Sequence, residues 1–271
     1  MWDLFLYAKN KYMGKLLPRK YRGRIFRSTK SKHMKLLTTK NYKTTKGEKM
    51  GVLTGILYLA PAKISGYEVC PKRSEGCTAA CLYTAGMGKF SNVQQARINK
   101  TKMFFEDRDT FLNQLRKDIT ALVRKAKKLN MTPAVRLNGT SDIEWTRFTL
   151  MNEFPEIQFY DYTKVLNRLE KERPTNYHIT FSKNESNDAD CVSALKLGAN
   201  VAVVFNTKKD KPLPESWNGY PVFDGDDTDL RFMDPSGGYV IGLRAKGRAK
   251  KDTTGFVVKE KIYEETVAQE G

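Results

Sequence analysis

Apolar runs and helically spaced apolar residues alternate along this chain from residue 51 onward. GVLTGILYLA (51–60) is apolar and bounded by Gly51 and Pro61, which predicts a strand. A long helical stretch comes later. Its first part, VQQARINKTKMFF, is basic and mostly polar. Its second part, TFLNQLRKDITALVRKAKKL, carries Phe111, Leu112, Leu115, Ile119 and Leu122 at helical spacing, with Asp109 as the expected cap.

The remainder repeats the alternation. Strands are predicted over 133–139, 157–163, 176–182, 200–206, 221–226 and 238–247. Helices are predicted over 148–153, 164–172 and 189–198 between them. Strand and helix recurring at roughly twenty-residue spacing argue for a parallel sheet. Several strands are continuous apolar runs, as expected when both faces of a sheet are covered. The expected fold class is α/β, a partial or small parallel (β/α) barrel, with a doubly wound open sheet as the alternative.

Charge changes the picture at the N-terminus. The formal net charge is +18 over 271 residues. Residues 1–50 hold 15 Lys+Arg against 2 acids, a net of +13, and the remainder holds 33 against 28. Such an arm binds polyanions, most often nucleic acid. Three segments are expected: a basic extension at 1–33, a cysteine-loop α/β domain at 34–258 and a charged tail at 259–271. The chain also reads as an ordinary start from Met34, so 1–33 is either an extension or a mis-assigned start. No run of about eighteen apolar residues occurs, so no membrane partner is expected. The opening MWDLFLYAKNKYMGK is too short and too interrupted by charge for a secretory signal, so the expected location is cytoplasmic, with reduced cysteines.

Three of the four cysteines fall in CPKRSEGCTAAC, Cys70 to Cys81. If a helix begins over 78–84, Cys77 and Cys81 lie four apart on one face. Pro71 and Gly76 then shape a loop that lets Cys70 fold back toward that face. Three converging thiolates suit a 4Fe-4S iron–sulfur cluster with one iron left open. Structural zinc and inert buried thiols are the other readings of the same residues. His33 and His178 stand far from the cysteines in sequence, which counts against a Cys-His zinc site. Cys191 is expected in the core.

In parallel α/β folds, reactive groups gather at the C-terminal ends of strands. Here those ends are polar. Asn138, Ser141 and Asp142 follow one strand and are candidate cofactor-binding residues. Asp161, Asp224 and Arg244 end three others and are candidate catalytic groups, to bind or protonate a substrate. Ordinary roles exist for them too. Asn138-Gly139 is a common turn pair, Asp142 could cap a helix, and Asp224 could line a solvated loop. No P-loop, no GxGxxG after a strand and no GxSxG occurs, so neither those nucleotide folds nor a nucleophile elbow is supported.

KTTKGEKMG, ILYLAPAKISGYEVCP, GCTAACLYTAGMG, VRLNGTSDI, FYDYTK, HITFS, NVAVVFN, FDGDDTDLRFMDP and GLRAKG together resemble an uncharacterised bacteriophage gene-product domain family. The resemblance covers about residues 34–258. It implies an infected bacterial host and brings no established activity. More distantly, the chain is similar to radical S-adenosylmethionine enzymes, partial parallel barrels whose first strand runs into a loop with three cluster cysteines. Cys70, Cys77 and Cys81 follow the first predicted strand in that way, with Tyr83 as the aromatic beside the last. Thr84 stands where the third cysteine of CxxxCxxC would be, so Cys70 would replace it. Asn138 to Asp142 occupies the strand end that holds the methionine amino group in those enzymes, without their Gly-Gly-Glu.

Two function classes emerge. One is an iron–sulfur enzyme of radical S-adenosylmethionine-like type acting on a nucleotide or nucleic acid. The other is a non-enzymatic nucleic-acid-binding protein with a structural zinc or cluster site, using the arm and Arg244, Lys246, Arg248, Lys250 and Lys251 on phosphates.

Overall fold

The computed structural model describes residues 34–259. The chain divides into residues 1–34 and 35–271, and the sheet and its helices lie in the second unit. The predicted extension at 1–33 and the tail from 260 lie outside the described residues.

Nine strands build one sheet: β1 (Leu37–Thr38), β2 (Val52–Leu57), β3 (Thr132–Arg136), β4 (Gln158–Thr163), β5 (Tyr177–Ser182), β6 (Val201–Phe205), β7 (Ser216–Trp217), β8 (Tyr220–Asp224) and β9 (Val240–Arg244). Their order is β1-β2-β3-β4-β5-β6-β9-β8-β7. From β2 to β8 every neighbouring pair is parallel. β1 lies antiparallel on β2, and β7 lies antiparallel on β8. The predicted strands are all present and shorter than expected, with β3 and β8 starting one residue earlier, while the two-residue edge strands β1 and β7 lack a run long enough to predict.

The sheet is not closed into a barrel. β1 and β7 stand at opposite edges, and β9 inserts between β6 and β8 rather than extending the series. β2 to β6 advance in one direction, so right-handed crossovers place their helices on one face. The β8-to-β9 connection runs back and covers the other face. There Leu230 and Phe232 pack with Val52, Ala134 and Tyr160.

The first face is covered by α4 (Arg108–Lys128), whose predicted stripe Phe111, Leu112, Leu115, Ile119 and Leu122 is buried. Its cap is Asp107 rather than Asp109, accepting from the Thr110 N–H at 3.2 Å. Gly55 on β2 leaves room for this helix, since a Cβ there would come within 3.1 Å of Leu122. Before it runs α3 (Ser91–Glu106), whose buried residues are Arg97, Lys100, Thr101 and Phe104. Polar bonds seat that helix. Thr101 Oγ1 accepts from the Ala60 N–H at 2.8 Å, and Lys100 Nζ donates to the Leu36 carbonyl at 2.7 Å.

The remaining helices are short: α1 (Tyr42–Glu48), α2 (Glu75–Ala79), α5 (Leu150–Glu153), α6 (Asn167–Glu170) and α7 (Asp188–Lys196). The helix expected at 164–172 is reduced to α6, and ahead of it the Lys164 N–H donates to Asp142 and the Val165 N–H to Thr163 Oγ1.

Candidate metal centre

Because β2 to β6, β9 and β8 are parallel, their C-terminal ends share one edge of the sheet. β2 leads there directly into the cysteine loop. The loop's root is pinned by the turn after β3. Gly139 N–H donates to the Leu57 carbonyl at 3.0 Å, Thr140 Oγ1 to the Leu59 carbonyl at 2.5 Å, and Asp142 N–H to the Val69 carbonyl at 2.7 Å. Only glycine fits at 139, where a Cβ would lie 2.7 Å from the Leu57 carbonyl oxygen. Cys70 sits beside this turn, its Sγ 3.9 Å from the Thr140 carbonyl and its N–H donating to Glu68 at 2.9 Å.

Cys77 lies within α2, not ahead of a helix at 78–84 as expected. Ser74 caps α2 by accepting from the Cys77 N–H at 3.2 Å, which starts the helix earlier. Cys81 follows α2 and opens the 3₁₀ turn Leu82–Thr84. The helix start is clamped by Glu185 from the loop after β5. Glu185 takes the Ser74 hydroxyl at 2.6 Å and the Gly76 N–H at 2.5 Å. Burial pushes its carboxyl up, but these hydrogen bonds outweigh burial and hold it below the usual range. Gly76 admits no side chain, since a Cβ would fall 2.0 Å from Thr254 Oγ1 and 2.8 Å from Phe256 Cβ.

All three thiols are half-buried. Burial pushes Cys70 up to about 12, while the Ala62 backbone N–H pulls it down and the charges of Cys81 and Cys77 raise it further. Burial raises Cys81 as well, against the Tyr83 backbone N–H and the cations Arg97 and Lys164. The three sulfurs thus sense one another. Among the described residues, no three His, Cys, Asp or Glu side chains stand close enough to share a single ion.

The six polar candidates fall into two groups, and most of their bonding capacity is used internally. Asn138 Oδ1 accepts from Ser141 Oγ at 2.8 Å, the Ile143 N–H at 2.9 Å and Trp145 Nε1 at 3.1 Å, so Asn138 and Ser141 brace a turn. Asp142 accepts from Thr163 Oγ1 at 2.9 Å, the Lys164 N–H at 2.9 Å and Arg168 Nη1 at 2.5 Å. Asp161 is fully buried on the helix-covered face, accepting from the Asn138 N–H at 2.6 Å and Tyr177 Oη at 3.1 Å. Burial pushes it up to about 7. The second group lies at the β8–β9 end. Arg244 Nη1 donates to Asp224 at 2.8 Å and Asp226 at 3.2 Å, and Lys246 Nζ donates to Asp226 at 2.5 Å. Cys191 is fully buried in α7.

Two groups near the thiols were not singled out from sequence. Lys164 Nζ is held by Ser182 Oγ at 2.6 Å and by the Ser182 and Lys183 carbonyls, which keeps its charge near Cys81. Arg97, from α3, lies over the rings of Tyr58 at 4.7 Å and Tyr83 at 5.4 Å. One cavity of about 20 Å³ lies beside Trp145, Arg168 and Tyr177, which bond to Asn138, Asp142 and Asp161, and a wide one of about 570 Å³ runs along Leu37, Asp118 and Lys125.

The family model for gene product 88 matches residues 29–260, well over half of the chain. The chain belongs to the gene product 88 family. Within this gene product 88 chain the match spans the whole sheet, the cysteine loop and every candidate cysteine, carboxylate and arginine. No curated protein matches the chain, and no solved structure matches it. The similarity to radical S-adenosylmethionine enzymes finds no support in these comparisons. Among the described residues, no helix of this gene product 88 chain is long and apolar enough to cross a membrane.

Proposed function

We propose that this chain is an iron–sulfur enzyme of bacteriophage type, acting on a nucleotide or nucleic acid in the cytoplasm of an infected bacterium. Cys70, Cys77 and Cys81 hold the cluster. The observation that carries this reading is the placing of three half-buried thiols on one loop and its short helix, directly after β2 at the C-terminal edge of a parallel sheet. A single tetrahedral zinc needs thiolates about 2.3 Å from one point, and the described residues hold no such group. A cubane cluster accepts wider spacing and, when bound, supplies an open iron for electron transfer or ligand binding.

Burial raises both Cys70 and Cys81, and groups beside the thiols offset it in part. Arg97 and Lys164 both favour the Cys81 thiolate, and the Ala62 and Tyr83 backbone N–H groups favour the Cys70 and Cys81 thiolates. Donors of this kind tune iron–sulfur sites. S-adenosylmethionine is a candidate ligand for the open iron, but Asn138, Ser141 and Asp142 are engaged in the turn that supports the cysteine loop. Asp224 and Arg244 remain the substrate-facing pair in this reading, and Asp161 acts from within as support for Asn138.

The second reading, a nucleic-acid-binding protein with a structural zinc, is favoured by one observation. Lys246, Arg248, Lys250 and Lys251 are exposed together at the end of β9. The absorbance spectrum of protein purified without oxygen separates the two. The enzyme reading predicts a broad visible band that bleaches with dithionite and changes when S-adenosylmethionine or a nucleotide is added. A colourless protein that binds DNA with unchanged affinity after chelation of its zinc would support the second reading.

A further inference from the structure

Three arginines are buried in the described chain: Arg97, Arg136 and Arg231. Two of them have a carboxylate. Arg136 pairs with Asp229 at 2.9 Å, and Arg231 lies 3.2 Å from Asp234. Among the described residues, Arg97 has none. It is 8% exposed, and its Nε and Nη1 have no hydrogen-bond partner. Burial lowers its pKa.

The guanidinium carbon lies over the Tyr58 ring at 4.7 Å and over the Tyr83 ring at 5.4 Å. Such ring contacts leave Nε and Nη1 without an acceptor. A buried cation with idle donors is costly unless an anion completes it. Guanidinium edges match oxyanions such as phosphate in geometry and charge.

The surroundings favour a phosphate ester. The turn Gly247–Lys251 packs against Leu82–Thr84, next to Tyr83, and a Cβ on Gly247 would lie 3.1 Å from Ala85 Cβ. That turn exposes Arg248, Lys250 and Lys251, and the segment after Tyr83 exposes Lys89. Cations beside Tyr83 suit a phosphorylated ligand at Arg97.

We infer that Tyr58, Arg97 and Tyr83 form a phosphate-recognition site for a nucleotide beside Cys81. The choice of a nucleotide rests on the proposed function, whereas the anion site does not need the cluster. The test is calorimetric titration of anaerobically purified full-length protein with inorganic phosphate, 5′-AMP, adenosine and acetate, with iron measured in the same samples. Phosphate and 5′-AMP should bind, and adenosine and acetate should bind far more weakly. Arg97→Met should weaken 5′-AMP binding by about tenfold or more, the scale of a lost charged hydrogen bond. The same variant should raise the melting temperature of the ligand-free protein, because it removes an uncompensated charge. Arg97→Lys keeps the charge without the planar fork and should weaken binding while leaving melting nearly unchanged, which preserves the test if Arg97→Met fails to fold. Acetate binding as tightly as phosphate, or Arg97→Met and Arg97→Lys both binding 5′-AMP like the wild type, would overturn the inference. Phosphate binding without iron contradicts only the cluster, and iron without phosphate binding contradicts only this site.

Discussion

Glu185 reaches back along the chain to Ser74 and takes its hydroxyl at 2.6 Å, joining the loop after β5 to the cap of the cysteine helix. The same carboxylate takes the Gly76 N–H, one residue before Cys77. The start of α2 is therefore oriented by a residue that no local pattern connects to it.

Replacing Glu185 with Ala should loosen the cysteine loop without touching a thiol. The loss of a carboxylate leaves the Gly76 N–H and the Ser74 hydroxyl unpartnered, a cost of about 1–3 kcal/mol. Chemical denaturation should show that loss, and metal retained per chain should fall. An unchanged midpoint together with full metal content would show that Glu185 does not orient the loop.

Asp161 gives a pH signature. Its folded carboxyl is pushed up to about 7 from an ordinary 3.8, chiefly by burial. Between those values the folded state binds more protons than the unfolded chain. Its contribution to stability is therefore fully present below pH 3.8 and is lost as pH rises toward 7. Asp161→Asn removes this effect, so the wild type should lose stability relative to the variant across that window, by on the order of a few kcal/mol. Parallel pH profiles for the two proteins would contradict the assignment.

Much of the sheet is legible in the sequence because its strands are unbroken apolar segments, such as Val201 to Phe205, and their run length survives any pairing. The pairing itself is not legible. That β9 inserts between β6 and β8 is decided by register, which no single strand carries. α3 is expected as the basic, mostly polar first part of the long helical stretch, but its inward face is not legible. That stripe, at 97, 100, 101 and 104, is mostly polar, so apolar periodicity does not reveal which side is buried. Arg97 is hidden for that reason, although a basic residue at the spacing of Phe104 is the signal that could have found it. Among the candidate site residues, the cysteines stand out from spacing alone. Asn138 reads from sequence both as a ligand and as half of a turn pair, and its bonds to Ser141, Ile143 and Trp145 follow the turn.

The N-terminal arm should carry most of any sequence-independent DNA affinity, since residues 1–50 hold +13 of the +18 charge. Deleting residues 1–33 removes 10 basic residues and 1 acid. Each lost phosphate contact flattens the dependence of affinity on salt. A salt titration on duplex and single-stranded DNA should show a shallower slope for the truncated protein. Equal slopes would mean that this segment makes no phosphate contacts.

The most direct measurement is elemental: iron, acid-labile sulfide and zinc per chain in full-length protein purified without oxygen, alongside Cys70→Ala, Cys77→Ala, Cys81→Ala and Cys191→Ala. The wild type should carry about four iron and four sulfide. Each of the first three variants should lose most of both. Cys191→Ala should keep them, because Cys191 is buried in α7, and should lose only about 1–2 kcal/mol of packing. Stoichiometric zinc with no iron, or iron that survives removal of Cys70, Cys77 or Cys81, would contradict an iron–sulfur centre at the cysteine loop.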